Sequence, residues 1–375
     1  MKKILAILLS LALIFTLAAC GNNDGEVNNG ETDEGQETEE TEQTPANTAE
    51  TIINGLTGTT YELILDSVSS VPVDEGITKF KDLVEEYSSG TITLKQKSDN
   101  GEADAVERLQ KTIDGETDIC IGTADGFAKV IKDLHLFDVY YLFRSSDEIY
   151  DVALDSDLIE DLEAAFEEEG LKCLSLWGNG FRELTTNKKK VKKVSGLKGL
   201  KIATTKGSVN KAAWKALGAK PVYMDLGERA EAISKGEIAG QECDMEALVN
   251  NDFQSTEKYC IMTDHAYSPY VVVMNLEKFN SLSEVQQNAI TEAMAYAGKY
   301  QLDRCELYMD YIEGVIEKSQ IEVITLTDKS KASFTKKTYK KTKEKAKKLM
   351  DDPWIVDSIE KKLETYRKAN ADKDD

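Results

Sequence analysis

The sequence predicts an α/β protein of two lobes, because short apolar runs alternate with stretches of helical periodicity along most of the chain. Between the runs YELILDSV and TITLKQK, for example, Ile77, Phe80 and Leu83 recur at helical spacing. Such alternation is typical of a mainly parallel sheet that is covered by helices. A second and smaller series of strands and helices follows residue 181, which predicts the second lobe.

The predicted strands follow one another in a regular order. They are YELILDSV, TITLKQK, DICIGT, KCLSLWG, FRELTT, LKIATT, PVYM, EIAGQEC, VVVMNL and IEVITL. We interpret VVVMNL as a strand that returns to the first lobe. The expected lobe boundaries are therefore 57–180 plus 271–310 for the first lobe and 181–270 plus 311–375 for the second.

A glycine-rich turn marks the expected crossing between the lobes. Gly178 and Gly180 bracket Asn179 directly after a buried strand, and two glycines so close together let the backbone turn without a Cβ penalty. Arg182 follows the turn, so we expect its side chain to face the cleft and hold a small anion there. A structural salt bridge across the hinge is the alternative interpretation of Arg182.

The longest predicted helix begins at Ser283, because Gln286 stands three residues later as a capping-box partner. If it continues to Ile316, it is about 50 Å long at 1.5 Å per residue and reaches both lobes. Its expected buried stripe is Val285, Ala289, Ala293, Ala297 and Tyr300.

The N-terminal residues predict export and a lipid anchor. Residues 1–19 have the charged start and the apolar run of a secretory signal. The boundary Leu17-Ala18-Ala19-Cys20-Gly21 resembles a bacterial lipobox, in which Cys20 carries lipid; an ordinary signal peptide is the alternative. Residues 20–56 are expected to form a disordered tether, since 21–50 hold ten acidic residues and no basic ones. These features predict an extracytoplasmic protein that is anchored to the cell membrane.

Charge and composition argue against several classes of function. The formal net charge of −22 argues against binding to nucleic acid or to anionic lipid. Only two histidines occur, and no GxSxG or HExxH motif is present, so we expect no enzyme, no metal site and no cofactor. The five cysteines other than Cys20 have irregular spacing, which argues against disulfides and metal ligands and predicts small buried side chains for most of them, with Cys243 as the one in question. We expect a monomer.

From Tyr61 to about Thr365 the chain resembles the solute-binding proteins of TRAP transporters, the DctP family. The most specific of the segments that carry the resemblance are FRELTTNKKKVKKVSGLKGLKI and LGAKPVYMDLGERAEAISKGEIAGQE. The resemblance implies a two-lobed periplasmic-binding-protein-like fold of class II type, a long helix that spans both lobes, and a ligand closed into the cleft. It also implies a partner, a membrane permease that an ion gradient drives.

Two positions depart from the family pattern. The family arginine that makes a bidentate salt bridge to a ligand carboxylate corresponds to Ala203, and the usual asparagine after G-Q-E corresponds to Cys243. Arg182 matches the other cleft arginine of the family, and Lys206 is a possible helper. With only six arginines among 46 basic residues, an arginine at the crossing suggests a need for the planar guanidinium.

The remaining candidate ligand-binding residues are Asn179, Trp177 and Thr123, and the first two also have a purely structural interpretation. Asn179 and Trp177 are explained as well by a turn asparagine and a core tryptophan, whereas Thr123 ends a buried strand, where open α/β sheets place ligands. The expected ligand-binding residues are Arg182, Asn179, Trp177, Thr123, Ala203, Lys206, Glu242 and Cys243.

The expected function is capture of a small, carboxylate-bearing metabolite by lobe closure and its delivery to an ion-gradient-driven TRAP permease. One alternative is a receptor that presents its ligand-bound form to a membrane sensor. Another is a binder of a neutral ligand such as a sugar or a nucleoside.

Overall fold

The computed structural model describes residues 59–97, 104–154 and 156–371. The predicted signal peptide, the lipidated Cys20 and the tether all lie outside the described residues. Within the described ranges, no helix combines the length and the apolar character needed to cross a bilayer.

The described strands are numbered in chain order. They are β1 (Tyr61–Ser67), β2 (Ile92–Lys97), β3 (Ile119–Thr123), β4 (Leu171–Trp177), β5 (Arg182–Thr186), β6 (Lys201–Thr204), β7 (Lys220–Tyr223), β8 (Gly240–Asp244), β9 (Tyr259–Met262), β10 (Tyr270–Asn275) and β11 (Glu322–Thr325).

The α-helices are numbered in the same way. They are α1 (Val71–Tyr87), α2 (Ala105–Ile113), α3 (Ala124–Phe127), α4 (Ser146–Glu148), α5 (Ser156–Glu168), α6 (Ser208–Ala216), α7 (Leu226–Ser234), α8 (Met245–Asn250), α9 (Phe253–Thr256), α10 (Leu276–Ser281), α11 (Glu284–Lys318), α12 (Asp328–Ala346) and α13 (Trp354–Asn370).

The strands form two sheets, which confirms the predicted α/β class. The first sheet has the order β2-β1-β3-β10-β4, and the second has the order β11-β9-β5-β8-β6-β7. The predicted return strand is β10, which lies between β3 and β4 in the first sheet.

The prediction of a mainly parallel arrangement needs a correction in both sheets. In the first sheet, β10 runs antiparallel to both of its neighbours. In the second sheet, β5 runs antiparallel to β8 and β9, whereas β6 is parallel to β7 and β8. The reason is topological: β5 and β10 are the strands by which the chain enters one sheet directly from the other, without a helix between them.

The long helix α11 begins as predicted. Ser283 accepts a hydrogen bond from the Gln286 backbone, the Gln286 side chain accepts one in return, and the helix runs to Lys318. It packs against α1 and β4 of the first sheet and also contacts α8 and β11, so it reaches both halves of the molecule.

The predicted buried stripe of α11 is wrong at two positions, since Val285 and Tyr300 are 46% and 36% exposed. Gln286 is buried in place of Val285, because its side-chain amide donates to the Thr59 carbonyl at 2.9 Å. The buried stripe therefore starts one residue later than the apolar pattern suggests.

The last helix does not follow the expected boundary. Ile355, Ile359 and Leu363 of α13 lie in one hydrophobic core with Leu158 and Leu162 of α5, which precedes β4. The packing of α13 on α5 therefore departs from the predicted assignment of 311–375 to the second lobe, and the lobe boundaries stay predictions.

Candidate functional site

The two chain segments that connect the sheets run side by side. The Arg182 amide donates to the Ala266 carbonyl at 2.9 Å, and Phe181 pairs with Tyr267 in an isolated antiparallel bridge. The Tyr267 hydroxyl accepts from the Asn179 amide and donates to the Asn179 carbonyl, both at 2.7 Å. This pair of connections is the hinge of the molecule, and it lies where the glycine-rich turn was predicted.

Helix α11 holds the hinge from behind. The Gln301 side chain accepts from the Gly178 amide at 2.7 Å and donates to the Gly178 carbonyl at 2.9 Å, and Gln301 is fully buried. The hinge backbone is therefore hydrogen-bonded to a helix that contacts both sheets.

Two of the predicted ligand-binding residues have structural contacts at this hinge. The Asn179 side chain donates to the Ser268 carbonyl at 3.0 Å and accepts from the Gly180 amide at 2.8 Å. Trp177 is fully buried beneath α1 and α11, where Gly76 and Gly298 leave room for its ring. These contacts fit the structural interpretation of both residues, in which Asn179 is a turn asparagine and Trp177 a core tryptophan. Their ligand-binding roles stay predictions.

Arg182 and Glu242 form a buried ion pair on the second sheet. The antiparallel register of β5 and β8 places Arg182 opposite Asp244, and Arg182 Nε lies 2.7 Å from Glu242 Oε2. A second guanidinium nitrogen lies 3.8 Å from Asp244. The Arg182 side chain keeps 13% of its surface exposed, whereas the Glu242 side chain has none.

Glu242 is surrounded by donors. The Thr204 hydroxyl and the Thr205 amide donate to Glu242 Oε1 at 2.8 and 3.1 Å, and His265 Nε2 lies 3.4 Å from Oε2. Burial by itself would raise the pKa of Glu242, but the charge of Arg182 and the contact with His265 outweigh it and hold that pKa well below its usual range. Glu242 is therefore a permanent anion, and it balances the charge of Arg182.

The second sheet carries a further polar cluster on its other face, where the helix α7 packs. Arg229 of α7 donates through Nη1 to Gln241 Oε1 at 3.1 Å and to the Glu242 carbonyl at 2.9 Å. The Gln241 amide in turn donates to Glu257 at 3.2 Å. Burial raises the pKa of Glu257 to about 7, so this carboxyl titrates near neutral pH.

Sequence reasoning missed Arg229, although a signal for it existed. Arginine is rare in this chain, with six among 46 basic residues, so the argument that singles out Arg182 holds for Arg229 as well. Arg229 is one of the largest fully buried side chains of the described protein. The sequence of a short amphipathic helix does not show which of its charged residues lies against a sheet.

Ala203 and Cys243 lie on the same face as Gln241, within a hydrophobic core that also contains Ile233 and Ile312. Both are buried, and burial raises the pKa of the Cys243 thiol well above its ordinary value. All five cysteines of the described chain are unpaired and buried, which confirms the prediction for them. Contact of Ala203 or Cys243 with a ligand stays a prediction.

Lys206 and Thr123 lie at strand ends. Lys206 is exposed, and its ammonium lies 5.4 Å from the centre of the Tyr223 ring, beside a cavity of about 390 Å³ that residues 204–208 line. Thr123 ends β3 and precedes α3, whose Asp125 accepts from the Ser268 hydroxyl at 2.7 Å. Thr123 is therefore close to the hinge in the first sheet, whereas Lys206 belongs to the second.

One hydrogen bond joins the helices that face each other across the two sheets. Ser70, directly before α1, donates to Glu246 of α8 at 2.8 Å, and the Tyr270 hydroxyl lies 3.5 Å from the same carboxylate. Burial raises the pKa of Glu246 to about 7. This contact links the start of α1 to α8.

Comparison with known proteins gives consistent matches. The model of the bacterial extracellular solute-binding proteins, family 7 (DctP), matches residues 68–349. The 2,3-diketo-L-gulonate-binding periplasmic protein YiaO of Escherichia coli is 33% identical over 251 residues, which cover 67% of this chain and 76% of YiaO. The C4-dicarboxylate-binding periplasmic protein DctP of Rhodobacter capsulatus is 24% identical over 61% of this chain and 68% of its own length.

A solved structure matches nearly the whole described region. The TRAP periplasmic solute-binding protein of Ochrobactrum anthropi has a TM-score of 0.77 and 26% identity, and the match covers 84% of this chain and 98% of that one. The two sheets, the hinge and the long helix described above are therefore those of a two-lobed binding protein.

Proposed function

Because the chain belongs to the bacterial extracellular solute-binding proteins of family 7, the DctP family, we propose that it captures a small carboxylate-bearing metabolite by lobe closure and delivers it to a TRAP permease. Members of this family are extracytoplasmic transport proteins and not enzymes. An ion gradient, rather than ATP, drives the partner that we propose.

The observation that carries this proposal is the buried cation at the hinge. Arg182 lies where the chain passes from one sheet to the other, and part of its guanidinium remains exposed beside Glu242. The relative with 33% identity is named for binding 2,3-diketo-L-gulonate, which is a sugar acid. An arginine in that position suits the planar carboxylate of such a ligand.

A neutral ligand is the second candidate, and one observation favours it. The charge of Arg182 is already balanced by Glu242, with Asp244 nearby. A ligand that met only Arg182 would therefore not need a charge of its own. The two candidates differ in what binds: an acid in the first, its uncharged counterpart in the second.

Calorimetry on the purified chain decides between them. The panel contains succinate, D-glucuronate, D-galactonate and 2,3-diketo-L-gulonate, together with succinamide, D-glucuronamide, glucose and a nucleoside. We expect at least one acid to bind with micromolar affinity or better, and the matching amide to bind at least about a hundredfold more weakly. Tight binding of a neutral compound with no acid binding would overturn the proposal.

Lobe closure has a separate readout. Two lobes that rotate about the hinge should become more compact when the ligand binds. The radius of gyration from solution scattering should fall at a saturating concentration of the acid that calorimetry identifies. An unchanged value would contradict closure as the mode of capture.

We further propose that Cys20 carries the lipid that anchors the protein, that residues 20–56 act as its tether, and that the protein is a monomer. What supports the anchor is the lipobox-like sequence before Cys20. The variant Cys20→Ser should be released in folded form into the soluble fraction. Retention of Cys20→Ser in washed membranes would contradict the anchor.

A further inference from the structure

Arg229 differs from the other buried arginines of this protein in having no acidic partner. It is 2% exposed, yet within the described residues no carboxylate lies within ion-pair distance of its guanidinium. Arg108 is equally buried and lies 2.9 Å from Asp66, and Arg182 lies 2.7 Å from Glu242. Arg229 is therefore a buried cation whose charge the described protein does not neutralise directly.

The partners of Arg229 are neutral oxygens. Nε donates to the Met224 carbonyl at 3.0 Å, and Nη1 donates to Gln241 and to the Glu242 carbonyl. These bonds hold the plane of the guanidinium in place. The third nitrogen, Nη2, has no acceptor in the described chain. It is nevertheless not one of the fully buried polar atoms that lack a hydrogen-bond partner.

A buried charge without a counter-ion is costly. Desolvation of a guanidinium without an opposite charge disfavours folding, and burial accordingly lowers the pKa of Arg229. Gln241 lies between Arg229 and the carboxyl of Glu257, since it accepts from the first and donates to the second. If Arg229 had a purely structural role, its hydrogen bonds to Met224 and Gln241 would be enough, and a neutral side chain can make such bonds.

The two guanidinium groups of the second sheet converge on a single atom. The Glu242 carbonyl accepts from Arg229 at 2.9 Å and from Arg182 at 3.4 Å. Glu242 and Asp244 both lie within ion-pair distance of Arg182, whereas neither carboxylate lies within that distance of Arg229. The neighbour of Gln241 across β6 and β8 is Ala203, whose side chain ends at Cβ.

We propose that Arg229 binds the acid group of the ligand, with its free nitrogen donating to one oxygen and the exposed part of Arg182 donating to the other. This inference rests on the proposed function and names the residue that makes the site selective for acids. The ligand carboxylate supplies the counter-ion that Arg229 lacks. Glu242 keeps Arg182 in position, and the guanidinium of Arg229 remains without a directly paired carboxylate.

The test compares Arg229→Gln and Arg229→Lys with a matched control, Arg304→Gln. Arg304 lies on α11 in an exposed ion pair with Glu75, so the control removes an arginine from the same protein outside the site. Calorimetry measures the affinity of each variant for the tightest-binding acid of the panel and for its amide, and thermal unfolding measures stability.

The expected results separate binding from folding. Arg229→Gln should weaken acid binding by roughly 30-fold or more and change amide binding by less than about threefold. Arg229→Lys should recover part of the acid affinity, because it keeps the charge but not the planar fork. Acid affinity of a folded Arg229→Gln protein within about threefold of the wild type, with only a lower melting temperature, would overturn the inference and leave the proposed function intact. Failure of every acid to bind the wild type would overturn the proposed function and this inference with it.

A measurement on the unmodified protein guards against variants that do not fold. The chain has six arginines, so selective ¹⁵N labelling of arginine gives few guanidinium signals. We expect two buried guanidinium signals to shift when the acid is added and none to shift with the amide. A shift of the Arg182 signal with no shift of the Arg229 signal would leave Arg182 as the sole anchor and exclude Arg229.

Discussion

The two sheets of this protein share an α/β architecture but are filled with different side chains. In the first sheet the central strands β3 and β10 are apolar, since Ile119, Cys120 and Ile121 lie opposite Met274, Val273 and Val272; a buried ion pair, Asp66 with Arg108, lies on the neighbouring β1. In the second sheet, the central strands bury polar and charged groups. These include Glu183, Thr185, Thr204, Gln241 and Glu242.

This difference separates two roles. Apolar central strands are stabilised mainly by burial, which is insensitive to pH and to ligand charge. A sheet with buried charges depends on each charge having its partner, since an unpaired one destabilises the fold. We therefore expect the stability of the second sheet to respond to substitution and pH more strongly than that of the first.

The largest effect is expected when the central ion pair of the second sheet is broken. Arg182→Ala leaves Glu242 fully buried without its cation, and this should lower the free energy of unfolding by about 3–5 kcal/mol. Urea unfolding measures the change. Adding Glu242→Gln to Arg182→Ala should restore part of the loss. A single variant as stable as the wild type would mean that the pair does not hold the sheet.

The matching substitution in the first sheet is Ile121→Ala, which removes buried methyl groups from its central strand. We expect a loss of about 3–4 kcal/mol from the cavity and the lost burial. Unlike the effect of Arg182→Ala, this loss should be the same at pH 5 and pH 8, because no titratable group is involved. Urea midpoints at the two pH values would contradict the comparison if they showed different losses.

The third prediction concerns the pH response of the second sheet through Glu257. Its folded pKa of about 7 lies above the ordinary value of 4.5, so the folded state binds more protons between these values. The contribution of Glu257 to stability is therefore full below about pH 4.5 and falls as pH rises through 7, by up to about 3 kcal/mol. Urea midpoints from pH 4.5 to 8 measure it.

Glu257→Gln is the matched variant, because glutamine can still accept from Thr185 and cannot titrate. It should lose less stability than the wild type as pH rises through this window. The same pH slope in both proteins would assign the response to another group.

The smallest effect is expected at the contact that joins the two halves. Ser70→Ala removes the hydrogen bond to Glu246, and one such bond contributes about 1 kcal/mol. Because the bond exists only when the halves meet, the variant should raise the apparent Kd about fivefold while leaving the melting temperature of the ligand-free protein nearly unchanged. Ser333→Ala on the exposed face of α12 is the control. Equal affinities of Ser70→Ala and Ser333→Ala would show that this contact does not contribute to closure.

The local features of the fold were predictable from the sequence. The capping box at Ser283, the alternation of strands and helices, the hinge at Gly178 and the burial of the cysteines each depend on residues a few positions apart. Local patterns fail even within α11. Gln286 is buried because its side chain donates to the carbonyl of Thr59, which is far away in sequence, and its apolar neighbour Val285 is exposed.

The sequence by itself determined the family, the α/β class and the position of Arg182 at the hinge. The tertiary structure alone decided which charges meet. Glu242 is 60 residues from Arg182, its ion-pair partner. Arg229 donates to the backbone carbonyl of Glu242 from a helix that the sequence shows only to be amphipathic. The physical reason is that strand register assigns each side chain to one face of a sheet, and a shift of one residue would exchange the two faces. Periodicity identifies the strands, but only their pairing leaves Arg182 balanced and Arg229 without a counter-ion.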